Sequence, residues 1–133
     1  MEVTLKIKKT GNTKGIFPKI KKAMENSVGE IGEVMSQTAQ TVYLENKKTD
    51  PKLPSMIIKS FNVEVPQSIG LSAKSIVIAG APKAPWAIYV NEGHTLRNGT
   101  FWEGYHFWEA GIQEAEAQSV GIINKNFSNL KLI

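Results

Sequence analysis

Hydrophobic and polar positions alternate at the start of the chain. Val3, Leu5 and Ile7 are separated by Thr4, Lys6 and Lys8. A period of two predicts a half-buried strand across Val3 to Lys8. Gly11 to Gly15, with Asn12 and Thr13, reads as a turn-prone loop. From Ile16 the period lengthens to three and four. Ile16, Ile20, Met24, Ser27/Val28, Ile31, Met35, Thr38/Ala39 and Val42 make one apolar stripe, which predicts a long helix ending near Asn46–Lys48. Pro18 suits its first turn, where a missing N–H costs little. Gly29 and Gly32 fall inside it and fit either close packing or a bend.

Beyond a linker-like turn at Asp50 to Pro54, Met56 to Val65 reads as a β-rich run, with Phe61, Val63 and Val65 on one face. Pro66 to Leu71 reads as a loop, Lys74 to Ala79 as a second strand of this region and Trp86 to Val90 as a third. Asn91 to Gly104 is polar and glycine-rich, and its Asn98-Gly99 pair predicts a tight turn. A last helix carries Tyr105, Trp108, Ile112, Ala115, Ser119, Ile122/Ile123 and Asn126/Phe127 on its inner stripe. Asn129 to Ile133 is a short tail, either a docked strand or an apolar segment that needs a partner. The predicted order is β-α-β-β-β-α. It corresponds to a single α+β domain over residues 1–133, with a small, mostly antiparallel sheet on a long N-terminal helix and a C-terminal helix.

Composition adds limits. Hydrophobic residues make up 41% of the 133 and charged residues 21%, as in ordinary folded domains. The absence of cysteine excludes disulfides, thiolate metal sites and a cysteine nucleophile. No apolar run reaches the roughly 20 residues of a membrane helix, and the first residues lack the apolar core of a signal peptide. These readings predict a protein made in the cytoplasm. The net charge of +4 is unevenly spread. Residues 1–22 hold seven lysines, including Lys19, Lys21 and Lys22, against Glu2 alone. Residues 98–124 hold Glu103, Glu109, Glu114 and Glu116 with no lysine or arginine. Most such charges are solvated faces, but two opposed patches also suit contact between neighbouring copies.

Catalytic chemistry finds little support. His94 and His106 belong to no ligand pair, and His94 beside Glu92 reads as a loop histidine rather than half of an acid–base pair. The nucleotide-binding and nucleophile-elbow patterns are absent, and Asp50 is the only aspartate. Asn98-Gly99-Thr100 and Asn126-Phe127-Ser128 match the glycosylation pattern by chance. No cofactor, metal or catalytic residue is expected. The N-terminal lysines suit nucleic acid electrostatically, but they lack arginine, interleaved aromatics and a known nucleic-acid-binding pattern, which makes DNA contact secondary.

The densest chemistry lies between Ala84 and Ala110, which hold all three tryptophans, both histidines, Tyr89, Phe101, Tyr105, Phe107 and Arg97. Of Trp86, Tyr89 and Trp108, at least two read as core. Phe101 and Trp102, in a polar glycine-flanked segment, read as interface anchors.

Within this region Trp86 to Thr95, followed by Phe107 to Ala115, resembles the tail-completion or head–tail joining (neck) proteins of long-tailed bacteriophages. Tyr89, Val90, Gly93 and Thr95 match the first family segment, with Asn91-Glu92 and an extra His94 altering its middle. Phe107, Ala110, Glu114 and Ala115 match the second without its prolines. A family stretch ahead of these is at best echoed by Ser55 to Phe61. The resemblance implies a structural virion component, not an enzyme. It would form a homo-oligomeric ring that joins the head connector or adaptor to the tail tube, or completes the tail end, with weak contact to packaged DNA. It would sit in the virion neck or tail, and in the host cytoplasm before assembly. The candidate interface residues are Lys19, Lys21, Lys22, Arg97, Phe101, Trp102, Glu109, Glu114 and Glu116. The alternatives are another phage structural subunit (minor capsid or tail-tube component) and a small basic nucleic-acid-binding protein.

Overall fold

A computed structural model describes residues 1–6, 17–47, 56–128 and 130. The predicted loop at Gly11 to Gly15, the turn at Asp50 to Pro54 and all of the tail except Leu130 lie outside the described residues.

The fold is α+β. Strand β1 spans Glu2–Lys6, helix α1 Phe17–Asn46 and the short helix α2 Met56–Ser60. Strands β2 (Asn62–Val63), β3 (Gln67–Ile69) and β4 (Ser72–Ile78) follow. Helix α3 is Ala87–Glu92, strands β5 (His94–Thr95) and β6 (Phe101–Trp102) form a hairpin, and helix α4 spans Phe107–Ser128. All strand pairings are antiparallel. Strand β4 is central. Val3 pairs with Ser75 across its contact with β1, while β2 and β3 pair successively along its other edge.

Alternation places Ala73, Ser75 and Val77 of β4 and Val3 of β1 on the inner face, all buried. That face packs on α1, and the predicted α1 stripe is the core. Ile20, Met24, Val28, Ile31, Met35 and Ala39 are buried, joined by Tyr43 one turn beyond. The two internal glycines of α1 serve close packing. A Cβ on Gly32 would stand 3.2 Å from Val63 Cγ1 and 3.4 Å from Val77 Cγ2, and one on Gly29 would stand 3.0 Å from Pro66. Helix α4 covers another side of α1 and runs antiparallel to it. Gly111 abuts Met35 and Ala39, whereas Asn126 near the other end donates to Ser27 Oγ at 3.1 Å.

Two predicted strands are helices. Met56–Ser60 forms α2, where Ile57 is buried and Ser60 Oγ donates to the Ile57 carbonyl at 2.6 Å. The same hydroxyl accepts Gly80 N at 2.8 Å, a tertiary contact that no local pattern announces. Only Asn62–Val63 of that run is strand. Trp86–Val90 belongs to α3, with Trp86 just ahead of it. Alternation would have buried Trp86, Ile88 and Val90. The helix instead turns Ala87 and Asn91, four apart, toward the protein and leaves Trp86 and Ile88 outside. Gln67–Ile69, expected as loop, pairs with β4. The order β-α-β-β-β-α therefore holds in its class and in its two long helices, but not in every short element.

Candidate interaction surface

Residues 84–110 form a ledge on one end of the α1–α4 pair. Ala84 N donates to Gly80 O at 2.8 Å and Ala87 N to Ala84 O at 3.0 Å, so the chain enters α3 already turned. Asn91, 7% exposed, ties α3 to α4. Its Oδ1 accepts Trp108 N at 2.9 Å, satisfying one free amide of the first turn of α4, and its Nδ2 donates to Glu109 Oε1 at 3.0 Å. Two backbone bonds complete the junction, from Tyr105 N to Val90 O at 2.9 Å and from His106 N to Asn91 O at 3.0 Å. The cap of α4 thus comes from a residue far upstream of the helix.

The hairpin leaves and rejoins this junction through Gly93 (φ 88°) and Gly104 (φ 78°), which lie against each other. A Cβ on Gly93 would strike Trp102 O, and one on Gly104 would stand 2.6 Å from Gly93 N. Both positive dihedrals and the close approach require glycine. At the tip the predicted Asn98-Gly99 turn is present. Gly99 N donates to Leu96 O at 3.0 Å, and Thr100 N donates to Asn98 Oδ1 at 2.9 Å.

A chain of ring contacts fastens the hairpin to the core. Tyr89 meets His94 at 6.4 Å between centroids, His94 meets Trp102 at 5.5 Å, and Trp102 meets Tyr105 at 5.2 Å. Tyr105 meets Tyr43 at 5.9 Å, and Tyr43 meets the buried Phe107 at 5.5 Å. These are edge-to-face contacts, the favoured geometry for such pairs. His94, exposed in the hairpin, is the middle ring between Tyr89 and Trp102.

The sequence places at least two of Trp86, Tyr89 and Trp108 in the core, but only Trp108, half-buried against Phe61, is inside. Trp86 is 47% exposed and Tyr89 60%. Phe101, expected outside, is 58% exposed, whereas Trp102 is half-buried on the ring chain. With Ile88 and Leu96, five of the eleven large exposed hydrophobics among the described residues fall between 86 and 101. Apolar side chains concentrated outside a well-bonded frame make this segment the candidate contact surface. Sequence reading missed Trp86, Ile88, Tyr89 and Leu96. The signal was there, since Ala84, Ala87 and Asn91 follow helical spacing.

The charged candidates divide between the two ends of the helix pair. Lys19, Lys21 and Lys22 are exposed at the start of α1, and Lys19 and Lys22 border a cleft with Asn126 and Leu130 near the end of α4. No acidic residue occupies the first turn of α1, so the helix dipole opposes these lysines there. Glu109, Glu114 and Glu116 are exposed in the first half of α4, Glu109 at the opposite end and Glu116 nearer the middle, where it lines a cleft with Val28 and Ile31 of α1. Glu109 is already engaged by Asn91, and Glu114 accepts Gln118 Nε2 at 2.5 Å. Arg97 is exposed near the hairpin tip. None of these lysines nor Arg97 forms an ion pair among the described residues. The same residues include no cluster of three or more His, Asp or Glu side chains placed to hold a metal. No helix among them is long and apolar enough to cross a membrane.

No family model matches this chain, and neither a curated protein nor a solved structure does.

Proposed function

We propose that the protein is a structural subunit of a long-tailed bacteriophage particle, assembling into a ring that joins the head connector to the tail or completes the tail end. The observation that carries this reading is the ledge of Trp86, Ile88, Tyr89, Leu96 and Phe101, exposed on a frame locked by Asn91 and the Gly93–Gly104 contact. Aromatic anchors on a preorganised support are what a subunit presents to a neighbouring ring, because little side-chain and loop freedom remains to be lost on docking. The separation of Lys19, Lys21 and Lys22 from Glu114 and Glu116 along the helix pair supports head-to-tail contacts between copies, the kind that close into rings.

The test is the native mass of the purified protein across concentration, with electron microscopy of any large species. The expected outcome is a closed ring, weakened when Lys19, Lys21 and Lys22 are all changed to glutamate. Tubes of indefinite length would favour a tail-tube role. Unchanged assembly in the triple variant would remove the charged contact from the reading. Labelling of purified particles with an antibody against this chain is expected at the head–tail junction or the tail end. Labelling of the capsid shell instead would assign a minor capsid role.

A further inference from the structure

Along α1, Lys19, Lys22, Asn26, Glu30 and Glu33 recur at spacings of three and four, which places them on one side of the helix. Asn26, Glu30 and Glu33 line an open groove of about 640 Å³, together with Glu25, with Val65 of the β2–β3 segment and with Ile122 and Lys125 of α4. Asn26 lines both this groove and the cleft that holds Lys19 and Lys22, so the stripe is continuous. Its charge reverses at Asn26, with two lysines before it and two glutamates after.

From this stripe we propose that two copies of this chain pair through it in antiparallel fashion, on a two-fold axis at Asn26. The registers coincide. Lys22 and Glu30 each lie four residues from Asn26, about 6 Å along a helix, and Lys19 and Glu33 each lie seven, about 10.5 Å. A two-fold rotation therefore brings Lys22 of one copy to Glu30 of its partner and Lys19 to Glu33, twice over. A patch of opposite charge at its two ends is complementary to itself only in this orientation, and a parallel pairing would set lysine against lysine. Glu30 already accepts Lys125 Nζ at 2.8 Å, but a carboxylate has a second oxygen to offer. Val65, 82% exposed on the rim, supplies apolar area that the partner covers. The charges set register while the aliphatic rim is buried.

This pairing does not depend on the ring reading. It shares Lys19 and Lys22 with the head-to-tail contact, so each copy makes one contact or the other, and dimers and rings compete in the purified protein.

The chain has no cysteine, so one can be introduced at a chosen place. Asn26→Cys is expected to join two copies through a short bis-maleimide crosslinker at low salt and much less at high salt. Glu45→Cys, exposed on the same helix, is expected not to. Two such residues would stand about 57 Å apart in the antiparallel pair, 38 residues at 1.5 Å each. In sedimentation equilibrium, Lys19→Glu is expected to weaken the dimer about tenfold by setting like charges opposite. The double change Lys19→Glu with Glu33→Lys should restore it. A strict monomer at all concentrations overturns the proposal, as does crosslinking at 45 without 26. Weakening by Lys19→Glu without rescue overturns the antiparallel register, and with it the proposal. Loss of Glu114 and Glu116 by charge reversal is expected to spare the dimer while abolishing rings, which separates this pairing from the ring reading.

Discussion

The α1–sheet–α4 body and the α3–hairpin ledge solve opposite problems with similar residues. In the body, apolar side chains fall at regular spacings and go inside: Met24, Val28, Met35 and Ala39 are fully buried along α1. In the ledge, Trp86, Ile88 and Tyr89 are as apolar, yet small or polar residues take the inward positions, Ala84, Ala87 and Asn91. The body is held by burial, which is non-directional and tolerant of local detail. The ledge is held by directed bonds from Asn91, by two glycines that allow backbone contact and by edge-to-face rings. A region that uses its hydrogen bonds for rigidity and leaves its large apolar groups outside is the ground for proposing that a partner covers it.

The contrast can be broken first in the body. Phe107→Ala removes a ring packed on Tyr43 and Phe61 and is expected to cost about 3–5 kcal/mol. Urea denaturation measures this, and a loss below 1 kcal/mol would mean the site collapses around the cavity.

Next is the joint between the regions. Asn91→Ala strips the cap of α4 and the partner of Glu109, and is expected to cost about 1–2 kcal/mol. Loss of amide protection should concentrate at residues 104–110 in hydrogen exchange, and an even loss across α1 would contradict a local role.

Within the ledge, Trp102→Ala is expected to cost about 1 kcal/mol of the kind that aromatic pairs contribute. It should free residues 94–102 to exchange while α1 stays protected, and unchanged exchange there would show that the rings do not hold the hairpin. The smallest effects on stability are expected from Trp86→Ser, Tyr89→Ser and Phe101→Ala, each below the cost of Trp102→Ala because about half or more of each residue is exposed. These three should nevertheless impair assembly most strongly, as read by native mass and electron microscopy. Stability lost with assembly intact would make them core residues after all.

The legible and illegible parts of the chain divide along the same line. Thirty residues of α1 and twenty-two of α4 carry enough repeats of a 3.6-residue period to declare themselves, β1 alternates over five residues, and β4 shows itself by the β-branched run Ile76 to Ile78 although its buried face carries Ser75. Asn98-Gly99 marked its turn because only a few residue types accept that backbone. Arg97, Phe101, Glu114 and Glu116 were placed on the surface correctly from charge and local polarity. Met56–Ser60 and Trp86–Val90 were misread because five residues rich in β-branched or aromatic types satisfy either period. What decided them lies elsewhere in the chain: Gly80, whose amide meets Ser60, and the start of α4, whose amide and carboxylate meet Asn91. The sequence by itself determined the class, the two long helices and the stripe that becomes the core, because periodic burial is written locally many times over. Only the tertiary structure decided that Trp86 and Tyr89 face outward, since that follows from a few long-range hydrogen bonds, each made once.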